Sequence, residues 1–79
     1  MIRFPFTDLP NGTRRYQLPN GWFVDRAKLR GQAFFRVTVW EPGAGEEIKC
    51  NDGTSYRIAA FRGGGTSLRK ALAAAGIQT

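Results

Sequence analysis

Hydrophobic and polar positions alternate most cleanly over Phe34-Phe35-Arg36-Val37-Thr38-Val39-Trp40, where a period of two sets Phe35, Val37 and Val39 against Phe34, Arg36, Thr38 and Trp40. The first set is purely apolar; the second mixes cation, hydroxyl and indole. The pattern predicts a strand over 32–40 that lays one face on a core and shows the other to a partner. Asn20-Gly21 precedes a second strand over 22–27, and Leu29-Arg30-Gly31 is the turn that joins the two into a hairpin. Downstream, Pro42-Gly43-Ala44-Gly45 breaks the chain, a third strand returns over 46–50, and Asn51-Asp52-Gly53 turns into a last strand over 55–61. Its alternation sets Tyr56, Ile58 and Ala60 on one side and Ser55, Arg57, Ala59 and Phe61 on the other.

Gly63-Gly64-Gly65 is expected to end the sheet, with Thr66 or Ser67 as the N-cap of a helix over 68–75 that Gly76 closes. Leu68, Ala71, Leu72 and Ala75 fall on one helical face, small enough to sit close against a sheet. Residues 1–21 hold Pro5, Pro10, Pro19, Asn11-Gly12 and Asn20-Gly21, which cannot sustain a helix. Ile2, Phe4, Phe6, Leu9, Tyr16 and Leu18 are too apolar for free disorder, so part of this arm is expected along the sheet, as a short strand at 3–6 or 14–18. No internal repeat is read. The predicted fold is α+β: a small antiparallel sheet of three to four strands packed on one C-terminal helix, with an extended N-terminal arm. One domain spans 1–79, divided into an arm (1–21), a sheet (22–61) and a helix (66–76), with Phe35, Val37, Val39, Tyr56, Ile58, Leu68 and Leu72 as its core.

Composition narrows the chemistry. Seventy-nine residues support a core worth roughly 3–5 kcal/mol of net stability and leave no room for a large internal cavity. Nine arginines and three lysines against six carboxylates give a net charge of +6, and arginine forks onto phosphate and guanine, so a polyanion is the first expected partner. Cys50 is alone, which excludes an intramolecular disulfide and a cysteine-cluster zinc site and suits a reducing cytoplasm. The chain has no histidine, which removes the commonest general base, the usual zinc ligand and the Ser-His and Cys-His pairs. No enzyme, cofactor or metal is expected. No apolar run approaches the length of a membrane span, and Pro5 and Asp8 interrupt any signal core, so the expectation is a soluble cytoplasmic protein with its native start and no membrane partner.

With a helix over the Phe35, Val37 and Val39 side, Arg36, Thr38, Trp40 and Arg57 are expected on the open side, with Arg26 beside them. A two- or three-stranded ribbon of this kind fits the major groove of DNA, while on a single strand Trp40 and Phe34 would stack bases. The bland alternative packs Trp40 and Phe34 under the arm and leaves the arginines solvated. A second candidate runs from Arg62 through Gly63-Gly64-Gly65 to Arg69 and Lys70, where converging amides and a helix N-terminus could hold one phosphate; it competes with a plain strand-to-helix connection. Its spacing is not that of a nucleotide-hydrolase loop. Asp25, Glu41, Glu46, Glu47 and Asp52 are read as turn and surface residues, Asp25 pairing with Arg26 and Glu46-Glu47 with Lys49.

The order hairpin, further strand, single alanine-rich C-terminal helix resembles the ethylene-response-factor (Apetala-type) DNA-binding domain and the arm-binding domains of phage integrases, over about residues 21–75. The resemblance implies a sheet lying in the major groove, with Arg26, Arg36, Trp40 and Arg57 at the family's reading positions, a packing helix over 67–75, and Ala60-Phe61-Arg62 where an aromatic residue ends the third strand. The family's Glu-Ala-Ala helix pattern is missing here, and the connection over 41–54 is long. The expected function is DNA binding through the open face by a phage or bacterial regulator, with RNA as the other nucleic acid. The nucleic-acid contacts are assigned to Arg26, Arg36, Thr38, Trp40, Arg57, Arg62, Arg69 and Lys70. The rival is a protein-binding module, a phage-encoded inhibitor or adaptor of a host enzyme, using a strand edge or the Phe4, Phe6 and Trp22 surface.

Overall fold

The computed structural model describes residues 4–28 and 30–77. Its elements are β1 (Phe6–Asp8), β2 (Arg14–Gln17), β3 (Phe23–Ala27), β4 (Arg36–Glu41), β5 (Glu47–Lys49), β6 (Ser55–Arg57), β7 (Ala60–Gly65) and α1 (Leu68–Ala74). Five strands form one antiparallel sheet in the order β1-β2-β3-β4-β7, and β5 and β6 pair only with each other. The α+β class stands, with more strands than the three to four expected. The arm supplies the difference: its strand at 14–18 is β2, and β1 pairs beside it. The start of the alternative strand at 3–6, and Leu29 of the expected turn, lie outside the described residues.

Three hairpins close by one device. In Leu9-Pro10-Asn11-Gly12-Thr13 the Gly12 amide donates to the Leu9 carbonyl, the Leu9 amide to the Thr13 carbonyl, and the Thr13 amide to Asn11 Oδ1. The same three bonds recur over Leu18-Pro19-Asn20-Gly21-Trp22 and over Cys50-Asn51-Asp52-Gly53-Thr54. Each glycine takes a left-handed φ of 86–89° (Gly12, Gly21, Gly53), which a side chain would resist, and the Asn or Asp carbonyl or carboxylate oxygen satisfies the amide that the turn leaves free. The tetrapeptide Leu-Pro-Asn-Gly occurs twice in the chain, each time as this turn.

The core is Leu18, Val24, Val37, Val39, Ala71 and Leu72, with Phe4, Tyr16, Trp22, Leu68, Ala75 and Ile77 packed around it. Helix α1 lies over β7 and β4, capped by Ser67, whose Oγ accepts from the Lys70 amide at 3.2 Å, and Gly76 follows it with a left-handed φ of 78°. Gly63, Gly64 and Gly65 do not end the sheet; they are the second half of β7, paired with Val39, Thr38 and Val37. A methyl built on Gly63 would stand 2.6 Å from the Ala75 nitrogen and 2.9 Å from the Ala71 oxygen, so the missing side chain is what lets the helix backbone come down onto the strand.

Three expected core residues lie elsewhere. Phe35 precedes the first paired residue of β4; its ring is 41% exposed and carries the Arg26 guanidinium 4.5 Å from its centroid. Tyr56 (55% exposed) and Ile58 (43%) alternate as expected, but the strand expected over 55–61 breaks after β6, and the β5–β6 hairpin has no layer against its apolar side. In their place Val24 and Leu18 are buried. Among the described residues no helix is long and apolar enough to cross a membrane.

Candidate nucleic-acid interface

Paired residues of neighbouring antiparallel strands project to the same face, so the register sorts the side chains. Val24 pairs with Val39 and Arg26 with Val37, on the helix side; Phe23 pairs with Trp40, Asp25 with Thr38 and Ala27 with Arg36, on the other. Between β4 and β7, Val39 pairs with Gly63 and Trp40 with Phe61, which leaves Arg62 over as a bulge residue. The bulge has a consequence for both faces. Without it, Phe61 and Gly63 would share a side; with it, Gly63 lies under the helix while Phe61 joins Trp40 on the open face.

A groove of about 630 Å³ runs along this open face, bordered by Phe34, Arg36, Thr38, Trp40, Phe61 and Thr66. Trp40 meets Phe61 edge to face, with centroids 6.1 Å apart and planes at 82°. The Phe61 ring lies against Gly64, where a Cβ would stand 3.4 Å from Cε2 and 3.5 Å from Cζ. A strand residue with no side chain thus gives the ring a seat. Phe61 remains 63% exposed and Phe34 53%, the largest exposures among the apolar groove residues. Arg36 makes no ion pair among the described residues, and no carboxylate borders the groove.

The neighbouring part of the open face is neutralised internally. Arg15 of β2 forks onto Asp25 of β3 through Nε–Oδ1 at 2.8 Å and a second bond at 3.1 Å, and its guanidinium lies 4.4 Å over the Phe23 ring. Asp25 is therefore the partner of Arg15, directly opposite in register, and does not pair with Arg26 as the chain order suggested.

Of the eight residues assigned from sequence, Arg36, Thr38 and Trp40 come together and the other five do not. Arg26 is on the helix side, because its partner Val37 is; its Nε is buried without a hydrogen bond while its guanidinium stacks on Phe35. Arg57 belongs to β6 of the separate hairpin, where it donates to the Gly45 carbonyl at 3.1 Å. Arg62 turns to Glu41, with 2.9 Å from its Nε to Oε1, and lies 5.8 Å from the centroid of the Trp22 ring. Arg69 and Lys70 are exposed in the first turn of α1, in the layer opposite the groove. The glycine segment is neither a phosphate cradle nor a plain connection: the three glycines lie extended in β7, paired with Val39, Thr38 and Val37.

The arm does not cover Trp40 and Phe34. Strands β1 and β2 widen the sheet beyond β3, and Phe4 and Tyr16 pack toward the core. Sequence reasoning missed Phe61 as a neighbour of Trp40, and Gly64 as its support. The signal available was the glycine run after an aromatic residue, which marks close backbone or ring approach in a strand. The bulge that brings them together has no signature in the sequence.

Hydrogen bonds elsewhere lower two carboxyls. The Arg14 hydrogen bond to Asp8, 2.8 Å from Nε to Oδ1, holds the Asp8 carboxyl below its usual range, and the Thr54 hydroxyl and amide do the same for Asp52. Neither borders the groove. No family model, no curated protein and no solved structure matches this chain.

Proposed function

We propose that this chain is a small basic nucleic-acid-binding protein that meets its partner with the open face of the five-stranded sheet. The observation that carries the proposal is the groove in which Arg36, Thr38 and Trp40 converge beside Phe61 with no carboxylate at its border. An anionic backbone finds an unpaired cation there, and bases or sugars find aromatic and hydroxyl groups. The overall charge of +6 favours approach of such a polyanion from any side. Of the four reading positions that the resemblance to sheet-reading DNA-binding domains implies, Arg36 and Trp40 lie on this face, Arg26 lies on the helix side and Arg57 on the separate hairpin.

The test is binding of labelled random-sequence DNA, single- and double-stranded, over a salt series. Expected is an affinity that falls as salt rises, with a log-log slope of about −0.7 to −0.9 per phosphate contacted. Arg36→Ala should lower the affinity and flatten the slope by about one contact, with the melting temperature unchanged. Arg26→Ala, on the opposite face, should leave the slope as it is. A slope near zero would sink the proposal.

A second function, attachment to a protein as an adaptor or inhibitor, draws on the β5–β6 hairpin. It exposes Tyr56 and Ile58 and carries Glu46, Glu47 and Asp52 against Lys49 and Arg57, a balance unsuited to phosphate. Capture of a partner that resists high salt and is lost with Tyr56→Ala would favour this function over the first.

A further inference from the structure

We infer that the groove takes single-stranded nucleic acid, with a base stacked on Phe61 and the adjoining phosphate held by Arg36. This rests on the nucleic-acid proposal above and goes further by naming the form of the partner.

Ring exposure argues first. In a duplex the base faces are stacked on one another, and only edges, sugars and phosphates reach a protein surface. Phe61 and Phe34, more than half exposed on the groove wall, have nothing to stack on in such a partner. In a single strand every base offers a face, and aromatic platforms beside a cation are the usual means of holding it. The Phe61 ring is also prepared for that use, seated on Gly64 and braced by the edge contact with Trp40.

Width argues second. Five strands about 4.8 Å apart span roughly 19 Å between outer axes, against a major groove of about 12 Å. Arg36 and Trp40 stand on β4, one strand in from the β7 edge and three from the β1 edge. Seating them in a groove of a duplex would bring the remaining strands onto its phosphates, where Asp25 and its partner Arg15 present no net charge. Among the described residues the separate two-stranded ribbon is the β5–β6 hairpin, and its three carboxylates outnumber its two cations.

Charge argues third. A protein that binds duplex DNA tightly neutralises several phosphates along a track, whereas among the described residues the groove has the single cation Arg36, flanked by the hydroxyls of Thr38 and Thr66. One phosphate per site, with base stacking as the main contribution, is what this set of groups can hold.

The experiment uses the full chain and fluorescence anisotropy at physiological ionic strength, with labelled oligothymidine, oligouridine and a DNA duplex of the same length. The expected result is that at least one of the two single strands binds about ten-fold or more tighter than the duplex, a difference of 1.4 kcal/mol. Preference for oligothymidine or oligouridine then separates DNA from RNA, and oligodeoxyuridine as a further probe separates the effect of the sugar from that of the thymine methyl. Phe61→Leu keeps an apolar cover on Gly64 but removes the ring. It should weaken single-strand binding by roughly 5- to 150-fold, the equivalent of one lost stack, without a change in melting temperature. Phe34→Ala supplies an independent variant at another residue of the groove border and should weaken the same probe. Equal or tighter binding of the duplex overturns the single-strand assignment while leaving nucleic-acid binding in place. Unchanged affinity in Phe61→Leu overturns the stacking site. Failure of every probe to bind overturns both proposals.

Discussion

Replacing Gly63 and Gly64 one at a time by alanine separates the two faces of β7. At Gly63 the new methyl would stand 2.6, 2.8 and 2.9 Å from the Ala75 nitrogen, the Ala74 carbonyl carbon and the Ala71 oxygen, all of them helix backbone that no rotamer can move aside. To restore an ordinary contact of 3.4 Å, α1 has to retreat by about 0.8 Å. A gap of that order forfeits about a quarter to a half of the dispersion energy between the atoms it separates, here Leu72 and Ala71 over Val39 and Val37. Overpacking costs typically about 1–3 kcal/mol, and loss of glycine freedom in the unfolded chain returns about 0.4–1 kcal/mol. A net loss of about 1–2 kcal/mol is expected, or a melting temperature lower by about 4–16 °C for a domain of this size. At Gly64 the nearest atoms are the Phe61 ring and the Val37 oxygen at 3.4 Å, an ordinary contact, so Gly64→Ala should melt within a few degrees of the parent or slightly above it. Both are read by circular dichroism on heating and by urea titration. A Gly63→Ala protein as stable as the parent, or a Gly64→Ala protein that loses as much, would refute the close-approach argument.

Val37→Ala removes two methyls from a fully buried site and should cost about 1–3 kcal/mol in urea unfolding, whereas Ile58→Ala, on the uncovered hairpin, should cost under about 0.5 kcal/mol; equal losses would mean that the hairpin packs against the core. Asp8 has its carboxyl lowered by its hydrogen bond to Arg14, so that pair stabilises the fold above the unfolded carboxyl range near pH 4 and its contribution disappears as pH falls through the lower folded value. In Asp8→Asn the urea midpoint should therefore fall less between pH 5 and strongly acid solution than in the parent, while Asp52 retains its own part of the slope.

The elements that the sequence pattern declares most openly are those in which local and tertiary demands agree. Val37 and Val39 are buried where the alternation places them, and Ser67 and Gly76 bracket the helix as their chemistry requires. The rest depends on partners that are distant in the chain. Phe35 has the right parity, but the strand starts one residue later. Tyr56 and Ile58 alternate without a layer to cover them. Arg26 is assigned to a face by its pairing with Val37, and that register follows from the connection over 28–35, which is too long for a two-residue turn to fix it. The glycine run reads locally as a terminator because glycine has low strand propensity, and only the helix packed on it gives a reason for its presence. The candidate site was legible to the extent that it lies on one strand: Arg36, Thr38 and Trp40 are spaced by two on β4. Phe61 was not, because a bulge changes the parity of β7 between Phe61 and Gly63.

That bulge makes the glycine run serve core and groove at once. Gly63 and Gly65 look toward α1, where a Cβ on either would meet helix atoms at under 3 Å, while Gly64 looks toward the groove and supports Phe61. Core and groove thus meet on three consecutive residues but divide by face. A larger residue at Gly64 would lift the Phe61 ring while leaving the helix contacts alone, and one at Gly63 would loosen the helix while leaving the ring on its seat. Bringing these neighbours to opposite tasks requires Arg62 to stand outside the pairing, and its ion pair with Glu41, the next residue on β4 after Trp40, anchors the bulge at that point. The position of the aromatic platform is accordingly set by the same local distortion that lets the helix close over the core.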